Sequence, residues 1–132
     1  MKQLIIRWQR LVNESGQTCE RCTDTGSTVE NAYKKLKKSL VELGIEVELK
    51  KEILDFSIFI KDPLQSNRIW IADKSLEEWL EATVGKSKCC DVCGDSECRT
   101  ISIDQDTFEN IPEDLIVKAG LLAAAELFGN LK

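Results

Sequence analysis

The six cysteines of this chain fall into two short clusters, and the chain contains no histidine. The clusters are Cys19-Glu-Arg-Cys22 and Cys89-Cys90-Asp-Val-Cys93-Gly-Asp-Ser-Glu-Cys98. Without histidine, a metal ion must be bound by thiolates, with carboxylates as the other charged ligands available. A nucleophile or redox centre is, for the same reason, expected to be a thiol. The residue types therefore indicate metal binding or thiol redox chemistry.

The first cluster has the spacing of a redox dithiol. Two residues separate Cys19 from Cys22, which lets the second thiol reach the first and close a disulfide. A thiolate near the N-terminus of a helix is stabilised by unpaired backbone N–H groups and by the helix dipole, so its pKa falls. Arg21 favours the thiolate further, whereas Glu20 and Asp24 oppose it. We predict redox chemistry at this pair, with metal binding as the alternative.

The second cluster has the form of a metal knuckle. In Cys90-Asp-Val-Cys93-Gly94 the two-residue gap lets both thiolates face one ion, and the glycine permits a tight turn. Cys89 and Cys98 complete a local set of four thiolates, which is the number that structural zinc requires. We therefore predict a structural zinc ion bound by Cys89, Cys90, Cys93 and Cys98.

Other ligand sets stay open at this point. Adjacent cysteines such as Cys89 and Cys90 rarely bind the same ion, so one of them could be free or bridge elsewhere. A composite four-thiolate site is a rival arrangement, with the ligands Cys19, Cys22, Cys90 and Cys93. An iron–sulfur cluster also needs only cysteines and is the less favoured cofactor.

Composition and charge limit the class of protein. A chain of 132 residues with 42% hydrophobic and 31% charged residues is typical of a single soluble globular domain, here 1–132. The net charge of −5 argues against nucleic-acid binding, because such surfaces are usually basic. The N-terminal apolar run is too short for a signal peptide, and no apolar stretch is long enough to span a membrane. We expect a cytoplasmic protein with no membrane partner, and in that compartment thiols stay reduced.

Hydrophobic periodicity predicts the elements that position the cysteines. A helix over 27–43 is expected to begin either at Ser27, which makes a capping box with Glu30, or near Cys22. Residues 52–62 fit either a strand or a short helix. A strand is predicted over 4–12, with Leu4, Ile6 and Trp8 on one face and a partly apolar second face that is also expected to be covered. The other predicted elements are strands over 45–50 and 68–72, a short helix over 76–80, a hairpin over 100–109 and a helix over 112–131.

The order of these elements predicts an α/β fold with a mixed sheet flanked by helices. The first strand–helix–strand unit fits a right-handed parallel crossover, and a Cys-x-x-Cys pair follows its first strand. This arrangement resembles the thioredoxin-like fold, with a Cys-rich insertion over 76–98 between the third strand and the C-terminal hairpin. The resemblance implies thiol–disulfide exchange with a protein or small-molecule partner, with Cys19 as the attacking thiol and Cys22 as the resolving thiol. Asn67 stands where thioredoxin-like proteins commonly have a cis-proline.

Several short stretches resemble a small prokaryotic family catalogued as a domain of unknown function. They are Ser66-Asn67-Arg68-Ile69-Trp70-Ile71, Cys93-Gly94-Asp95, Cys98-Arg99-Thr100 and Ile111-Pro112. This resemblance brings no activity with it. The predicted function is thiol–disulfide exchange at Cys19 and Cys22 with a cysteine-bound zinc. The alternative functions are non-catalytic binding of soft metal or metalloid ions and a dimeric interaction module.

The last predicted helix, 112–131, is apolar nearly all round. Such a helix must be covered on two sides. Burial within the monomer and a homodimer interface explain this pattern equally well.

Overall fold

The structure is a computed structural model that describes residues 2–10, 20–61, 68–88, 97–103, 105–108 and 111–128. The helices in these ranges are α1 (Glu20–Val41), α2 (Phe56–Lys61), α3 (Leu76–Leu80) and α4 (Glu113–Phe128). The strands are β1 (Lys2–Arg10), β2 (Ile45–Ile53), β3 (Arg68–Ile71), β4 (Lys74–Ser75), β5 (Thr83–Lys88), β6 (Glu97–Ile103) and β7 (Asp106–Phe108). None of these helices is long and apolar enough to cross a membrane.

The main sheet has the strand order β2-β1-β3-β4. β1 pairs in parallel with β2, and α1 connects the two strands, as the sequence predicted. β3 is antiparallel to both of its neighbours, β1 and β4. The mixed sheet and its flanking helices confirm the predicted α/β class.

Alternating apolar residues of the central strand form one wall of the core. Leu4, Ile6 and Trp8 of β1 are buried, as the period-two pattern predicted. On α1 the buried residues follow helical spacing instead, because one face of the helix covers β1 and β2. The apolar residues of this helix face are Val29, Ala32, Leu36 and Leu40.

The structure selects the earlier of the two predicted helix starts. α1 begins at Glu20 and continues through Ser27 without interruption. Gly26 is buried in its second turn, and a Cβ atom added there would lie 2.5 Å from Cη2 of the Trp8 ring. A glycine inside a helix costs about 1 kcal/mol relative to alanine. Gly26 therefore weakens the helix locally, but its lack of a side chain is what lets α1 pack closely against Trp8 of β1.

A buried polar contact ties α1 to the residues that precede α4. The backbone N–H of Ile111 donates to Thr25 Oγ1 at 3.3 Å, and the Thr25 residue is fully buried. The hydroxyl of Thr28 donates to the carbonyl oxygen of Ile111 at 2.7 Å. Both polar groups of the Ile111 backbone are thus bonded to side chains of the second and third turns of α1.

Thr25→Val is expected to lower the free energy of unfolding by about 1–3 kcal/mol, because the N–H of Ile111 loses its buried acceptor while side-chain volume is preserved. Urea denaturation monitored by circular dichroism measures the effect. Thr28→Ser keeps the hydroxyl that bonds Ile111 and serves as the matched control. A Thr25→Val midpoint equal to that of the parent would show that this hydrogen bond does not stabilise the fold.

α4 packs beside α1 on the same face of the main sheet. Its buried residues include Ile116, Ala119 and Ala123. A Cβ atom added at Gly120 would overlap the side chain of Leu36, so the two helices approach closely at this point. The opposite face of α4 remains exposed, with Leu121 and Leu122 in contact with solvent. Burial within the monomer therefore accounts for only one side of the predicted apolar helix.

The opposite face of the main sheet carries stacked cations. The guanidinium groups of Arg7 and Arg68 lie 4.9 and 4.7 Å from the centroid of the Trp70 ring. Arg7 also forms an ion pair with Glu52 at 3.0 Å. The sequence predicted that β1 would be covered on both faces, whereas Ile5 on this second face is only half-buried among charged neighbours.

The predicted C-terminal hairpin does not join the main sheet. β6 and β7 form it, but they pair with β5 in a separate antiparallel sheet of order β5-β6-β7. The fourth strand of the main sheet is the two-residue β4, which follows a tight turn with positive φ at Ala72 and Asp73. β5 is absent from the predicted elements, because its large apolar residue Val84 is 43% exposed and Gly85 weakens the strand pattern. The segment 76–98, predicted as an insertion, contains α3, β5 and the first residues of β6; 89–96 lies outside the described residues.

Candidate functional site

The first cysteine cluster lies at the start of the longest described helix. Cys22 is the third residue of α1, and Cys19 immediately precedes the helix in the sequence. Cys19 itself and the side chain of Cys22 lie outside what the structure describes. The N–H groups in the first turn of a helix have no partners within the helix, and the dipole makes this end electropositive. The backbone around Cys22 therefore favours a thiolate.

Close packing fixes this end of α1 against the C-terminal end of β1. Trp8 lies against Gly26 on one side, and the guanidinium of Arg10 lies 5.0 Å from its ring centroid. Arg10 in turn donates to the carbonyl oxygen of Glu52 at 2.9 Å. The second turn of α1 is thus held by a rigid indole that is itself tied to β2.

Among the carboxylates of α1 whose side chains are described, the one nearest in sequence to the cysteine pair forms an ion pair with a lysine. Glu30 forms an ion pair with Lys51 of β2. The hydrogen bond from Lys51 holds the pKa of the Glu30 carboxyl below its ordinary value. Glu30 is therefore ionised at neutral pH, and it is not a proton donor for chemistry at the cysteine pair.

Of the second cluster, the structure places the backbone of Cys98, near one end of the β5–β6 ladder. Cys98 is the second residue of β6, with Ser87 as its partner, and the last pair of the ladder is Lys88 with Glu97. Cys89, Cys90 and Cys93 lie outside the described residues, as does the side chain of Cys98. The ladder brings Lys88 and Glu97, the two residues that flank the segment 89–96, side by side. Among the described residues, no group of three or more cysteine, aspartate or glutamate side chains could hold a metal ion.

Comparison with known proteins defines the family. The family model described as "Domain of unknown function (DUF2703)" matches residues 4–120. The chain belongs to this family. An uncharacterized protein of Archaeoglobus fulgidus is 45% identical over 114 residues, which cover 86% of this chain and 82% of that protein. No solved structure matches the chain.

The DUF2703 match confirms the predicted resemblance to a family of unknown function, and it spans both cysteine clusters. Sequence reasoning had singled out the cysteines but not the residues that support the first pair. Thr25, Gly26 and Trp8 all belong to that support. The available signal was Gly26, since a glycine inside a helical pattern often marks close packing.

Proposed function

We propose that this chain is a thioredoxin-like thiol protein that carries out thiol–disulfide exchange at Cys19 and Cys22. In this proposal the second cluster binds a structural zinc ion. The observation that carries it is the position of Cys22 in the first turn of α1, within the parallel β1–α1–β2 unit. A Cys-x-x-Cys pair at this point of such a unit is the arrangement of thioredoxin-type redox proteins.

The topology of the main sheet supports a thioredoxin-like fold. The order β2-β1-β3-β4, with β3 antiparallel to its neighbours, is the strand pattern of that fold. α4 packs against α1, as the last helix of a thioredoxin-like core does. In this description the three-stranded sheet β5-β6-β7 is an addition between α3 and α4, and the fourth core strand is β4 rather than the hairpin.

The reaction would proceed in two exchange steps. The Cys19 thiolate attacks one sulfur of a partner disulfide, the S–S bond breaks, and the other partner sulfur leaves as a thiolate and takes up a proton. Cys22, as its thiolate, then attacks the Cys19 sulfur of the mixed disulfide and releases the second partner thiol. The partner gains two electrons, and the chain is left with a Cys19–Cys22 disulfide. An external dithiol reductant resets the pair.

The thioredoxin-like resemblance assigns different roles to the two thiols. Cys19 precedes α1 in the sequence and is assigned the attack. Cys22 is the third residue of α1 and is assigned the resolution of the mixed disulfide.

The ladder register supports a local zinc site. Lys88 of β5 pairs with Glu97 of β6, and in the sequence Cys89 directly follows the first of these residues and Cys98 the second. Thiolates are soft ligands that bind zinc in closed tetrahedral sites. Zinc would contribute order to the segment between β5 and β6, and it would take no part in electron transfer. A cytoplasmic location fits this assignment, because free thiols persist there.

Metal analysis and thiol counting on anaerobically purified protein test the proposal. We expect one tightly bound zinc ion per chain and two thiols that react rapidly in the folded state. The all-thiol donor set also favours a second candidate function, the non-catalytic binding of soft metal or metalloid ions. Zero reactive thiols with metal bound would support the composite site and overturn the redox assignment.

A further inference from the structure

The outer face of α4 is an exposed apolar surface. Leu121 is 49% exposed and Leu122 is 40% exposed, although the opposite side of the same helix is buried against α1. Ala125, one turn later, is also exposed. We call this surface, formed by residues 117, 118, 121, 122, 125 and 126, the outer α4 face.

Charges on the outer α4 face have a simple arrangement. Lys118 and Glu126 lie four residues before and after Leu122, so all three belong to one row along the helix. Both charged residues are exposed, and among the described residues neither forms an ion pair. A neighbouring row consists of Val117, Leu121 and Ala125. Asp114, one turn before Lys118 in the same row, is also exposed and borders this face. The face is therefore apolar at its centre, with Lys118 next to Asp114 towards the N-terminus of the helix and Glu126 towards its C-terminus.

We propose that a second copy of this chain covers the outer α4 face, with the two α4 helices antiparallel and a two-fold axis at Leu122. In such an isologous contact each residue meets the one at the mirrored position. Leu122 then meets Leu122 of the second copy, and each Lys118 meets the second copy's Glu126. The helices would overlap over about 20 Å.

Charge complementarity favours this occupant over an unrelated apolar partner. A net charge of −5 on each copy opposes self-association in general. At the outer α4 face this repulsion is offset, because an antiparallel second copy places two opposite-charge pairs around the Leu122 contact. An antiparallel alignment with its axis one turn earlier, at Lys118, would place the two Lys118 side chains against each other and leave Glu126 without a lysine, so the charges favour the axis at Leu122.

Sedimentation equilibrium of the full chain with a reductant present, which excludes disulfide cross-links, tests this proposal. The wild-type chain is expected to dimerise, and Leu122→Glu is expected to weaken the dimer at least about 100-fold. Lys118→Glu and Glu126→Lys alone are each expected to weaken it about tenfold, since each turns two attractive pairs into repulsive ones. The double variant Lys118→Glu/Glu126→Lys is expected to regain the wild-type dissociation constant.

A wild-type chain that stays monomeric at all accessible concentrations would overturn the proposal. So would a dimer unaffected by Leu122→Glu, or a double variant as weak as the singles. The substituted side chains are exposed, so circular dichroism is expected to show the parent fold in every variant. Because this surface contains no cysteine, loss of the dimer leaves thiol–disulfide exchange intact, and the two proposals fail separately.

Discussion

Cys19→Ser is expected to lower the rate of disulfide reduction at least about 100-fold while the bound zinc stays at the parent level. A serine hydroxyl is not ionised at neutral pH, whereas a thiol beside a helix N-terminus is partly a thiolate. The zinc ligands in this account all lie in the second cluster, so they are unaffected. The rate is measured with a small aromatic disulfide, and zinc by elemental analysis of the same sample.

Cys22→Ser is the matched control for this prediction. Its Cys19 can still attack, but the mixed disulfide has no resolving thiol, so a covalent adduct with the partner should accumulate and be visible by mass spectrometry. Loss of zinc from Cys19→Ser, together with a parent that reduces no disulfide, would contradict the separation of the two clusters. It would instead assign the first pair to metal binding.

Gly26→Ala is expected to lower the free energy of unfolding by about 2 kcal/mol. The added Cβ atom would lie 2.5 Å from Cη2 of Trp8, a rigid and buried ring that cannot rotate away alone. Overpacking of this kind costs about 1–3 kcal/mol, and the contact is short enough to place the cost at the upper end. The gain in helix propensity offsets about 1 kcal/mol. Urea denaturation measures the net effect.

A control and a double variant separate packing from propensity. Asn31→Ala changes an exposed position of the same helix, and it should leave the stability unchanged or slightly higher. Trp8→Phe removes the ring atoms that meet the new Cβ atom, so Gly26→Ala should cost less in that background than in the parent. A Gly26→Ala chain more stable than the parent would show that α1 does not approach β1 this closely.

Local patterns were sufficient to predict the centre of the fold. The alternation of Leu4, Ile6 and Trp8 predicted β1, and helical spacing predicted most of α1, because each of these elements buries one continuous face. α4 was predicted from a stretch that is apolar nearly all round. β5 escaped prediction because it lies at the edge of a small sheet and has little apolar content. The separate sheet that contains the hairpin was not predicted for the same reason, because β5 is the third strand of that sheet.

At the candidate site, the sequence predicted the reactive residues but not the residues that support them. Residue type and spacing were enough to select the six cysteines, since thiol chemistry is local to each cluster. The residues that hold the second turn of α1 were not predictable in this way. Thr25 bonds Ile111, 86 positions later in the chain, and Gly26 is required only because Trp8 lies beside it. Such contacts arise from tertiary packing, for which a single sequence contains no periodic signal.

We propose that Cys19 and Cys22 form a redox pair that is independent of a zinc site in the second cluster. A redox titration in glutathione buffers tests it most directly, with alkylation and peptide mass mapping at each potential and zinc measured in the same samples. We predict a reversible two-electron couple that forms the Cys19–Cys22 disulfide while one zinc ion stays bound. Release of zinc in step with oxidation of Cys19 and Cys22, or the absence of that disulfide at every potential, would contradict it.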